Sequence, residues 1–182
     1  MILSDVTINE LVKSGDIVIL PEFNLKDIRP AGIRLHLGKE MLIPEPDQTV
    51  DLVGTEDVKY KKITLSDAGY IVRPGEFILG TTHEKIQVPR DIVCHLDGRS
   101  TVARLGLMVH CTSQTIDGNF DEPRTVVFEM KNLGPTNLIL KPKLALAMLT
   151  FTKLSKPIKQ ESQLQYKGQG NVTVPNLRVQ KK

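Results

Sequence analysis

A chain of 182 residues, 40% hydrophobic and 25% charged, is material for about one domain at the usual ~100–200 residues each, and its composition is neither disordered nor fibrous. The longest apolar run, 144–149, is far too short to cross a bilayer, and Met1 leads into polar residues rather than a signal peptide. The net charge of +3 is unevenly placed: residues 155–182 hold six Lys/Arg against Glu161, which leaves −2 for the rest and excludes a basic nucleic-acid platform. Cys94 and Cys111 complete neither a disulfide framework nor a zinc motif, so a reducing cytosol is expected and zinc is not.

The opening reads as a short helix. Ser4 is placed to cap it, Ile8, Leu11 and Val12 share one face, and Gly15 ends it. After that the helical period fades. Short runs rich in Val, Ile, Leu and Thr follow at 17–20, 33–37, 70–72, 77–82, 92–96, 107–112, 125–130, 137–140 and 144–151, and all 11 prolines fall between or beyond them. Many short strands at fairly regular spacing indicate a sandwich or barrel.

One segment breaks the pattern. Asp97-Gly-Arg-Ser-Thr-Val-Ala-Arg-Leu-Gly106 lies between two strand-like runs. Ser100 is placed to cap a helix starting at Thr101, with Gly106 as its end, and Ser100 and Arg104 share a face. Amide groups and two guanidiniums around a helix start suit an anion. A capped helix with a surface arginine accounts for the same residues.

Two carboxylates stand out further on. Asp117 closes the run 108–116 at a turn, either bonding its own backbone or accepting a hydrogen bond from a bound hydroxyl. Glu129 interrupts an apolar strand. Alternation puts it on one face with Val127, and puts Val126, Phe128 and Met130 on the other. It is either a solvated edge-strand residue or a half-buried carboxyl with its pKa raised toward the range useful for proton transfer.

The remaining candidates read as ordinary. His110 fits a satisfied core or interface histidine, and Cys111 a small apolar residue. His36, His83 and His95 form no ligand pattern. The segment around Tyr166, Lys167 and Gln169 is glycine-bearing and polar, a loose terminus or a lid whose Lys and Gln touch phosphate oxygens.

Taken together, Gly98-Arg-Ser-Thr-Val-Ala-Arg-Leu-Gly-Leu-Met-Val-His110, then Ile116-Asp117, then Val126-Val-Phe-Glu129 with Asn132, resemble the dCTP deaminases of the dUTPase-like superfamily. The opening Met-Ile-Leu-Ser-Asp, Leu35-His-Leu-Gly38 and Tyr166-Lys-Gly-Gln169 fit as well. The resemblance implies a mainly β fold. This is a distorted β-barrel or jelly-roll over 1–154 with a short N-terminal helix, a second short helix near 100–105, and a basic tail over 155–182 as candidate lid. It implies hydrolysis of dCTP to dUTP and ammonia, without zinc and with magnesium on the triphosphate. It implies a homotrimer with sites between subunits, a cytoplasmic enzyme that binds neither membrane nor nucleic acid, and dTTP as an inhibitor.

By position, Glu129 matches the catalytic glutamate, and Ser100 and Arg104 its neighbours. Arg99, Ser100 and Thr101 match the phosphate-contacting stretch. Asp117 matches the aspartate under the deoxyribose 3′-hydroxyl. Val127 and Phe128 match the base pocket, and Tyr166, Lys167 and Gln169 the tail at the phosphates. Gln114 stands where relatives that also hydrolyse dUTP carry Gly and deaminases carry His. That leaves dUTPase or bifunctional activity as the alternative, with deamination alone the leading reading. A regulatory barrel that binds nucleotide without turnover is the alternative outside enzymes.

Overall fold

The computed structural model describes residues 1–21, 23–53, 57–117, 121–159 and 171–177. Helix α1 (Asp5–Ser14) forms where the sequence predicts it. Ser4 holds the N-cap position, but its hydroxyl makes no cap bond; its carbonyl instead accepts the Ile8 N–H at 2.9 Å. Gly15 ends the helix in the left-handed region at φ +82°. Ile8 is fully buried, and Leu11 and Val12 pack beside it on the core.

Strands make up most of the rest. They are β1 (Val18–Leu20), β2 (Ile28–Arg29), β3 (Gly32–Pro44), β4 (Tyr60–Thr64), β5 (Tyr70–Val72), β6 (Phe77–Gln87), β7 (Ile92–Gly98), β8 (Leu107–Met108), β9 (Thr115–Ile116), β10 (Arg124–Asn132), β11 (Leu138–Leu140) and β12 (Ala145–Lys153). The main sheet runs β8-β10-β6-β3-β12-β7-β9, with β1 on β6 and both β2 and β4 on β3; β5 and β11 pair separately. The ladders are antiparallel.

The two ends of that order, β8 and β9, are joined by residues 109–114 alone. Six residues reach at most about 20 Å. The sheet therefore curls into a half-barrel, the distorted form of barrel expected. Its interior is filled by Ile33, Leu35, Ile78, Leu96, Phe128, Leu149 and Phe151, all at or below 1% exposed.

Closure needs β3 to change partners. Its first half pairs with β12 and its second with β6 and β4, with a register slip between Leu37 and Met41. Gly38 sits in the slip, where a Cβ would come within 2.8 Å of the Thr81 hydroxyl. Just before it, the buried Glu84 carboxylate accepts the His36 N–H at 3.0 Å and faces the imidazole Nδ1 at 2.6 Å, filling the opened ladder. No helix among the described residues is long and apolar enough to cross a membrane.

Candidate active site

The segment that crosses the seam lies against β10. The Glu129 N–H donates to the Val109 carbonyl at 3.0 Å, and His110 forms an isolated parallel bridge with Glu129. Cys111 turns the corner at φ +38°, and the Ser113 N–H folds back to the His110 carbonyl at 3.0 Å.

Strand β10 alternates cleanly, with Val126, Phe128 and Met130 buried and Val127 and Glu129 on the other face. Glu129 is half-buried there. Burial pushes its carboxyl above the usual carboxylate range. The His110 charge and the Ser113 N–H pull it back, but by less than burial raises it. The Cys111 thiol is pushed up by burial and then by Glu129, with Lys131 opposing, so it offers no ready thiolate.

Beside the carboxylate the outer face carries an apolar cluster. Glu129 lies opposite Leu79, and Val127 opposite Thr81. Leu42, Leu79 and Val172 form a small buried cluster flanked by Tyr60, Phe77 and Val127. Val172 belongs to the last described segment, so the chain end returns over this face.

The 97–106 segment reaches Glu129 through the same seam. Gly98 lies against Val109, whose side chain a Cβ would meet at 3.6 Å, and Asp97 Oδ1 is 3.7 Å from His110 Nε2. Helix α2 (Ser100–Ala103) starts one residue earlier than expected, so Ser100 is inside it and the cap position is Arg99. The cause is the anchoring of Arg99. Its N–H donates to the Leu146 carbonyl at 3.1 Å and its Nη1 to the Ala145 carbonyl at 2.8 Å, while its own carbonyl accepts the Val102 and Ala103 N–H groups at 3.0 Å. Ser100, Thr101 and Arg104 are exposed, and Arg104 has no ion pair among the described residues.

A sequence profile of the dCTP deaminase-like family matches residues 2–154. A dCTP deaminase of Haloarcula marismortui is 35% identical over 173 residues, covering 86% of this chain and 83% of the relative. A dCTP deaminase of the dUMP-forming kind from Persephonella marina is 33% identical over 184 residues, covering 100% of this chain and 99% of the relative. The chain belongs to the dCTP deaminase-like family. In fold it is similar to the solved 2′-deoxycytidine 5′-triphosphate deaminase of Agrobacterium tumefaciens, with a TM-score of 0.64 at 17% identity over 82% of this chain; it spans 47% of that longer chain.

The dCTP deaminase-like match includes the Gly98-Arg-Ser stretch, Asp117 and Glu129. The structure joins the first and last of these through 109–110. It leaves Asp117 exposed at the end of β9, with no hydrogen bond or ion pair to Glu129. Phe128 is set apart from the other pocket candidates: its side chain is sealed in the main core, so only its backbone reaches the Val127 face. Tyr166, Lys167 and Gln169 lie outside the described residues. Among the described residues no group of three or more His, Cys, Asp or Glu is placed to hold a metal ion.

The rest of the family motif is scaffold. Gly106 sits at φ +85°, and a Cβ there would come within 2.4 Å of the Gly134 N. The fully buried Asn132 fixes that contact. Its amide donates to the Val72 and Thr136 carbonyls at 3.0 and 2.8 Å, and its oxygen accepts the Gly134 N–H at 3.0 Å. Sequence reasoning missed two groups at the carboxylate. The Ser113 amide is backbone and leaves no sequence signal. His110 reads from sequence as a satisfied core or interface histidine, and its buried Nδ1 has no hydrogen-bond partner among the described residues.

Proposed function

We propose that this chain hydrolyses dCTP to dUTP and ammonia, with Glu129 as the general base and acid. The observation that carries the reading is a single carboxyl group, half-buried on an apolar face, its pKa raised by that burial and held beside the Gly98-Arg-Ser segment by residues 109–113. Membership of the family supports it.

Glu129 takes a proton from water as the oxygen adds to C4 of cytosine. It delivers that proton to N3, then takes the second from the new C4 hydroxyl and passes it to the exocyclic nitrogen, so that the C4–N bond breaks and ammonia leaves as the C4 carbonyl forms. Ser100 and Arg104 orient the water and stabilise charge near C4. Thr101 and the part of the Arg99 guanidinium not bound to Ala145 meet the phosphates. Asp117 accepts from the 3′-hydroxyl, Val127 packs on the base, and Tyr166, Lys167 and Gln169 close over the triphosphate. Magnesium enters with the triphosphate as part of the substrate. The setting is a homotrimer in the cytosol. The apolar pair Ile71 and Ile139, facing each other across β5 and β11 and each about half exposed, supports association.

Chromatography after feeding dCTP and magnesium tests the reading. dUTP with one equivalent of ammonia is expected, and Glu129→Gln is expected to bind dCTP without releasing ammonia. Turnover by that variant would overturn the role of Glu129. A second reading is favoured by the relatives named dUMP-forming: dUTP is then cleaved to dUMP and diphosphate, and dUMP replaces dUTP in the same chromatogram.

A further inference from the structure

His110 is the residue at the seam that the reaction above leaves without a task. Its parallel bridge with Glu129 fixes its direction, because bridge partners send their side chains to the same side. Imidazole and carboxylate therefore leave the backbone together. On the far side of the ring, Nε2 stands 3.7 Å from Asp97 Oδ1, and that oxygen is itself held by the Gly98 N–H at 2.7 Å. The other ring nitrogen, Nδ1, is shut off from solvent and has no hydrogen-bond partner among the described residues. A buried ring nitrogen in that state costs stability until something accepts from it or donates to it.

We propose that His110 is the positioning residue of Glu129: the ring, with Asp97 beside Nε2, turns its unpartnered Nδ1 to the Glu129 carboxylate when substrate binds, and so holds that carboxylate at the reacting atoms. The proposal rests on the reading of Glu129 as the base. Asp97 from β7 and Glu129 from β10 are the charges that face the ring. Cys111 is its chain neighbour, and Lys131 lies two positions beyond Glu129 on the same face of β10. The ring opposes the burial that raises the Glu129 carboxyl, in the direction that water activation requires. It also ties the Gly98-Arg-Ser segment to the base, because Asp97 directly precedes Gly98.

The test is ammonia release from magnesium dCTP by the full chain, followed from pH 4.5 to 9. The variants are His110→Phe, His110→Asn and Asp97→Asn. His110→Phe is expected to lower kcat by about 10- to 100-fold, the scale of a mispositioned reacting group, with KM within about threefold. It is also expected to move the acid limb of kcat/KM upward by about one pH unit, the scale of one lost neighbouring charge. His110→Asn restores a neutral donor, so it should recover part of kcat while keeping the moved limb. Asp97→Asn, on an exposed side chain, should move the limb the same way by less, and it carries the test alone if His110→Phe does not melt cooperatively. An unmoved acid limb in both His110→Phe and Asp97→Asn, or a loss carried wholly by KM, overturns the proposal. Failure of the underlying reading looks different: wild-type protein then releases no ammonia, before any variant is made.

Discussion

Glu129 and Leu79 face each other across the β10–β6 ladder, so the carboxylate leaves the sheet beside a leucine that is only 6% exposed. Leu79 is covered by Val172, a residue 93 positions further on, in the last described segment. The apolar wall next to Glu129 is thus completed by a residue of the last described segment. Burying a valine contributes about 1.5–3 kcal/mol. Val172→Asp should release the segment, and tryptic cleavage beyond Lys159 should accelerate several-fold. The melting temperature should fall by only a few degrees, since the main core does not include Val172. Unchanged cleavage would mean that Val172 does not anchor the tail.

The raised carboxyl of Glu129 makes a stability prediction with a definite sign. A carboxyl held above its unfolded value, about 4.3 for glutamate, keeps its full contribution below that value and loses it as pH rises through the folded one. Glutamine cannot ionise and so loses nothing. Glu129→Gln should therefore melt close to wild type at pH 4.5 and above it at pH 8, by up to a few degrees. Melting curves across that range measure the difference. A variant less stable than wild type at pH 8 would contradict the net raising of this carboxyl by burial.

Adjacent residues Val127 and Phe128 divide between site and core. Phe128→Ala empties a fully buried position and should cost about 3–5 kcal/mol. It should leave KM for dCTP within about twofold at temperatures where the variant is folded. Val127→Ala should cost about 1 kcal/mol and raise KM several-fold, because its side chain shares the face of Glu129. The reverse pattern would return Phe128 to the base pocket.

These residues also show how far the sequence could be read. The alternation of β10 is local, so the pairing of Val127 with Glu129 against Phe128 is legible from six consecutive residues; which face meets the core is not, and that depends on partners such as Ile78 and Gly80. The run 107–112 reads as one strand, yet β8 stops at Met108 because the chain must leave the ladder there to cross the seam, turning at Cys111. Closure of the sheet is a long-range event with no local signature. Strand β4 carries little sequence signal for a different reason: Tyr60-Lys-Lys-Ile-Thr64 is an edge with two exposed lysines, which protect the edge and hide the apolar alternation. Strands β2 and β9 have two residues each and carry no period at all. The motif residues were legible as a group, but that Asn132 and Gly106 serve as scaffold follows only from what they touch.

The contact of Gly106 with Gly134 gives the most direct test of that scaffold. Gly106→Ala adds a Cβ 2.4 Å from the Gly134 N, at a φ of +85°. The opposing backbone cannot yield, because Asn132 holds the Gly134 N–H and is itself anchored to Val72 and Thr136. Gly75 is the matched control: it has a similar φ of +79° but nothing within 4 Å. Gly75→Ala therefore measures conformational strain alone, about 1–2 kcal/mol, and should leave turnover unchanged. Gly106→Ala should lose about 2–4 kcal/mol. It should also lose turnover well below its melting temperature, because the displaced turn begins at Arg104. Equal melting temperatures for the two variants would show that the glycine pair is not what fixes the 100–106 segment beside the seam.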